Sequence, residues 1–211
     1  MVKNSRRLYR LNILIAFKSI GTTSPIVTAI FFPRNVYLQH PQMINTLLSD
    51  KTIKSKEKTE KLSLFITSGE ISVAQLIDYA SISKDPIKAT CIEALEFATQ
   101  KDASLLGKSG FEFVVDQLAA KAPRIKWESA KVIGNTAKQH SKSLDKAIVN
   151  LLINSEHEGT VVRWAAAFAL GEIIKLKTAH NKELVPACEA IVAREEKNSI
   201  KKIYLAAFKK I

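Results

Sequence analysis

Glycine and proline are scarce in this chain, with 7 and 6 copies in 211 residues, and strand-like alternation between turn clusters is missing after residue 50. A β-rich fold is therefore disfavoured, and an all-helical one leads. The two cysteines, Cys91 and Cys188, lie far apart inside apolar helical patterns, without a CxxC or Cys/His cluster. That excludes a disulfide framework and a zinc site, and it fits a reducing, cytoplasmic setting. No window reaches about 18 uninterrupted apolar residues, so no membrane-spanning helix is expected. Acidic residues are absent from residues 1–42, which carry Lys3, Arg6, Arg7, Arg10, Lys18 and Arg34.

What is present suits a globular chain able to bury a continuous core: 46% hydrophobic and 25% charged residues, with a net charge of +12. Half of that excess sits in residues 1–42, where apolar runs Leu11 to Phe17 and Ile26 to Phe32 flank Lys18. A secretory signal or an Arg-rich transit peptide are two readings of this segment, but Lys18 interrupts the apolar region and no small-residue cleavage pattern is clear. The preferred expectation is that Met43 is the natural start, that residues 1–42 are an atypical basic extension, and that residues 43–211 form the folded domain.

From residue 85 the chain repeats itself. Four helical openings, Ile87-Lys88-Ala89, Ile125-Lys126-Trp127, Val162-Arg163-Trp164 and Ile200-Lys201-Lys202, are spaced by 38, 37 and 38 residues. Each pairs a β-branched anchor with a base, and Ala94-Leu95, Val132-Ile133, Ala169-Leu170 and Ala207-Phe208 follow on the same helical face. Second amphipathic segments, Phe111 to Lys121, Leu144 to Asn154 and Lys182 to Glu195, lie between them, with an earlier one at Val73 to Ala80. Helix-start signals fall at Asp85-Pro86, Ala122-Pro123, Gly159-Thr160 and Asn198-Ser199.

The run Val162-Arg163-Trp164-Ala165-Ala166-Ala167-Phe168-Ala169-Leu170-Gly171 resembles the VRxxAAxALG signature of HEAT and phycobilisome-lyase-type repeats. The copies at Ile87, Ile125 and Ile200 are weaker, and the tryptophan, Leu-Gly and Tyr pattern of tetratricopeptide repeats is absent. The resemblance implies an all-α fold: a short right-handed α-solenoid of about four HEAT-like hairpins, with Ile200 to Ile211 as a C-terminal capping helix. Lyase chemistry does not follow, because no chromophore-handling residue can be named.

A wheel of 100° per residue places Trp164 about 180° from the core face of its own helix. Trp127, Lys131, Gly134 and Lys138 fall together on one helix, and Trp164, Phe168, Gly171 and Lys175 on the next, with Ala89, Glu93, Glu96 and Gln100 before them. In HEAT-like repeats this face lines the concave surface. The candidate partner-binding residues are accordingly Trp127, Trp164 and Phe168 as anchors, with Lys131, Lys138 and Lys175 at the rim. Lys88, Lys126, Arg163 and Lys201 recur one position after each anchor, at the flank shared by neighbouring units. The family resemblance implies that such bases bond acceptors of the adjacent repeat.

These features point to a noncatalytic scaffold, monomeric or weakly dimeric, for a protein partner with an acidic surface. A nucleic-acid-binding solenoid is the alternative, since cations contact phosphates and aromatic faces stack on bases. HEAT-like DNA alkylation-repair glycosylases combine such a surface with tryptophans and an acidic catalytic residue. Trp127 and Trp164 resemble part of that arrangement, but no aspartate joins them, and Glu128 and Glu172 fall on flanks. Gly107-Lys108-Ser109 imitates a phosphate-loop ending without its first glycine or strand, and reads as an inter-helix loop. His40, His140, His157 and His180 fall in expected loops without ligand spacing, and the Lys54 to Lys61 and Arg194 to Lys197 clusters read as solvated faces. No catalytic residue, metal or cofactor is expected.

Overall fold

The computed structural model describes residues 36–211, which form α1 (Val36–Ser49), α2 (Ser55–Thr67), α3 (Val73–Ile82), α4 (Asp85–Lys101), α5 (Lys108–Gln117), α6 (Pro123–Thr136), α7 (Asp145–Asn154), α8 (Thr160–Ile174), α9 (Asn181–Arg194) and α10 (Asn198–Phe208). Helix starts fall on the breaker signals. α4 and α6 carry Pro86 and Pro123 in their first turns, where a missing N–H loses no intrahelical bond. α3 opens with a reciprocal cap: Gln75 N donates to Ser72 Oγ at 3.2 Å, and Ser72 N donates to Gln75 Oε1 at 2.8 Å. α2 is followed by Gly69 at φ +78°, a left-handed position that a side chain would strain.

The four spaced openings are α4, α6, α8 and α10, and α2 precedes them in the same row. Each of these inner helices packs on the next, while α1, α3, α5 and α7 form an outer row, and α9 lies against α8 and α10. Each outer helix comes before its inner partner in the chain and packs on it more extensively than on the inner helix that precedes it. α10 therefore continues the row after α8 and is the inner helix of a unit with α9.

Stacking explains the composition of α8. Ala165, Ala166, Ala167, Ala169 and Leu170 are all completely buried, because α6 covers one flank and α10 the other. Small side chains are what let three helices approach so closely. The continuous core runs through Leu62, Leu95, Ile133, Leu170 and Tyr204, one from each inner helix. Truncating Ile133 or Leu170 to alanine should cost about 2–5 kcal/mol.

Met43 lies inside α1, and residues 1–35 of the basic segment lie outside the described residues. Other expectations change here. Ile87 is an exposed anchor, unlike the buried Ile125, Val162 and Ile200, because it sits at the rim of an open hollow lined by Leu48, Ser55 and Lys58. Gly107 caps α5, so Lys108 and Ser109 are its first turn rather than loop, and His40 belongs to α1.

Candidate functional site

The inner row presents its third face to solvent, and there the candidate residues separate into two kinds. Trp164 on α8 is 40% exposed, and its ring stacks on Phe168 one turn later, with centroids 6.1 Å apart and planes 5° from parallel. Phe168 is half-buried, since its ring covers the bare backbone of α6 at Gly134, where an added Cβ would fall 2.8 Å from Cδ1. Phe168 is thus a packing residue that supports Trp164. The wheel had left Gly134 and Gly171 open to solvent; both are buried, because each is the seat of the following inner helix.

Trp127, expected as a second anchor, is half-buried against the core, and its Nε1 donates to Glu128 Oε1 at 2.7 Å. Lys131 is not a free rim cation. Its Nζ sits between two buried carboxylates, 3.2 Å from Glu96 Oε2 on α4 and 3.0 Å from Glu128 Oε2 on its own helix. Burial raises the pKa of Glu128, and its bonds to Lys131 and Trp127 offset this only in part. Burial also works against the charge on Lys131, but Glu128 and Glu96 outweigh it and raise its pKa. Alongside, Glu93 Oε2 accepts from Arg124 at 2.7 Å and from Thr59 Oγ1 at 2.9 Å.

Glu128, which the helical wheel sets on a flank, thus joins Glu93 and Glu96 in one carboxylate cluster. A signal was available: Glu93 and Lys131 stand one repeat apart, so opposite charges share a register on adjacent helices. Of the remaining rim lysines, Lys138 is exposed, and Lys175 is exposed with its Nζ 2.5 Å from Glu172 Oε1.

The bases after the anchors divide in the same way. Arg163 donates through Nε to Glu195 Oε2 at 2.8 Å, beyond the end of α9, and through one terminal nitrogen to the carbonyls of His157 and Glu158 after α7. Lys126 does the equivalent one unit earlier, reaching the Leu118 carbonyl after α5 at 3.1 Å and Asn154 Oδ1 at the end of α7 at 2.9 Å. Each base ties its own outer helix to the next one. The side chains of Lys88 and Lys201 make no hydrogen bond or ion pair with any described residue.

Glu195 was expected on a solvated cluster, but its carboxylate is buried, and the bond from Arg163 holds its pKa below the ordinary glutamate value. Arg194, in that same cluster, is exposed and pairs with Glu156. His140, His157 and His180 each have a partner in the fold. His140 stacks on Phe111 at 4.2 Å with its Nε2 2.8 Å from the Leu106 carbonyl, His157 Nδ1 accepts from Gly159 N, and His180 lies 3.7 Å from Asp145. Among the described residues no acidic, histidine and cysteine side chains cluster as a metal site would require, and no helix is long and apolar enough to cross a membrane.

With this geometry in place, solved structures supply the comparison. A designed armadillo repeat protein in complex with the peptide (KR)4 matches with a TM-score of 0.65 at 16% identity, over 82% of this chain and 81% of that one. Two engineered proteins match similarly, with TM-scores of 0.66 and 0.63 at 14% and 16% identity, covering 81% and 82% of this chain and 79% and 78% of theirs. The fold is an armadillo-like helical-repeat solenoid. No family profile matches the chain, and no curated protein does.

Proposed function

We propose that this solenoid is a noncatalytic scaffold of HEAT-like type that binds a segment of a protein partner along its inner row, with Trp164 as the central anchor. The observation that carries the reading is the exposed Trp164 ring, held flat by Phe168, which Gly134 in turn seats on α6. A large, rigid aromatic presented on a preformed surface loses little conformational entropy on binding, which is why such residues dominate contact energetics. The peptide complex of a similarly folded designed protein supports the mode of binding. Buried, unpaired Cys91 and Cys188 suit work in a reducing cytoplasm.

The test compares affinity purification of partners by the native protein and by Trp164→Ala. Partners captured by the native chain should be lost from the variant, while its thermal unfolding changes little. Retention of every partner at unchanged yield would remove Trp164 from the site. The net charge of +12 favours a second reading, nucleic-acid binding. It requires an affinity for single- or double-stranded oligonucleotides that falls steeply with salt, and that tracks lysine rather than Trp164 substitutions.

A further inference from the structure

The inner strip changes electrical character along the row, and the change identifies the chemistry of what it binds. Lys202 on α10 stands one repeat after Trp164, at the same register, and Lys209 at the register of Gly171. Both are exposed, as is Leu205 between them at 45%, and neither lysine forms an ion pair with any described residue. Residues 197–211 contain five lysines and no acid, so nothing in α10 compensates them. At the other end, Lys131 and Arg124 are already saturated by Glu96, Glu128 and Glu93. A uniformly anionic polymer following the row would find Lys131 and Arg124 already neutralised, and a basic segment would meet the lysines of α10 and its end.

We infer that the bound segment is an acidic peptide with an apolar anchor: a large apolar side chain rests on Trp164, and an Asp or Glu displaced from it toward α10 pairs with Lys202 and Lys209. This rests on the binding mode proposed above and specifies its ligand. Adjacent packed helices lie about 8–10 Å apart, which an extended chain rising about 3.3 Å per residue spans in about three residues. The acid therefore follows or precedes the anchor by about that number. Leu205 lies between the two lysines and adds an apolar contact beside the acid.

The test is selection of a random dodecapeptide display library on the full chain, on Lys202→Glu/Lys209→Glu, and on Trp164→Ala. Native selections should enrich a Trp, Phe or Leu with an acid about three residues away. Synthetic versions of those peptides should bind the charge-reversed chain about tenfold more weakly, and that chain should instead enrich a basic residue at the same spacing. Peptides that need Trp164 but carry no acid, or that bind the charge-reversed chain unchanged, would overturn the inference and leave the anchor reading intact. Failure to enrich any Trp164-dependent peptide would overturn both. Binding of an oligothymidylate strand that charge reversal abolishes, with no acidic peptide enriched, would assign the lysines to phosphate.

Discussion

The Phe168 ring of α8 occupies the space a side chain at position 134 of α6 would need: a Cβ built on Gly134 meets Phe168 Cδ1 at 2.8 Å. One glycine therefore sets both how closely two inner helices approach and how Trp164 is supported. Gly134→Ala should destabilise the chain by about 1–3 kcal/mol, as overpacking does. In a double-mutant cycle followed by urea unfolding, the cost should shrink when Phe168 is also replaced by alanine, since the clash is then gone.

The two tryptophans should report their different settings. In Trp127→Phe, the remaining Trp164 emission should be red-shifted and readily quenched by acrylamide, because that ring is 40% exposed. In Trp164→Phe, Trp127 should emit further to the blue and be shielded, since it packs on the core and donates to Glu128. Equal quenching of the two variants would contradict the site.

The Arg163–Glu195 pair should carry the coupling of the last units. Arg163→Ala leaves Glu195 buried without its partner and should cost on the order of 3 kcal/mol, a value held to the low end by the partial exposure of Arg163. Because the bond from Arg163 lowers the Glu195 pKa, its stabilisation is present above the ordinary value of 4.5 and is lost as pH falls through the depressed folded value. Glu195→Gln should flatten that acid limb in denaturant titrations.

Lys131→Met should show the opposite slope. Glu128 has a raised pKa in the folded chain, so the native state holds its proton more tightly, and stability declines as pH rises from about 4.5 through the folded value. Removing Lys131 should steepen that decline, and adding Glu128→Gln should remove the share that Glu128 contributes to it. A pH-independent loss would show that Lys131 acts through packing alone.

Burial pushes the thiols of Cys91 and Cys188 up to about 12. Neither should react with a disulfide reagent at neutral pH in the native protein, and both should react once denaturant unfolds the chain.

The helical periodicity, the 37- to 38-residue spacing and the placement of Pro86 and Pro123 were enough to locate the inner helices from α4 onward, since each of these signals acts within one helix or its first turn. The wheel also put Trp164 on the outward face. It went astray at Trp127, Lys131, Gly134 and Phe168 because it treats a helix as having one buried face. An inner helix of a stack is buried on its outer partner and on both row neighbours, which leaves a narrow exposed stripe.

The amino-acid pattern alone thus determined that this chain is a row of paired helices with a basic end, because periodicity, breakers and charge are local properties. Only the tertiary structure decided which candidate groups are free. Lys131 lies between Glu96 and Glu128, Arg163 is spent on Glu195, and Trp164 stays in solvent. The physical reason is that pairing and burial depend on what the neighbouring unit brings to within a few ångströms, a whole repeat away along the chain.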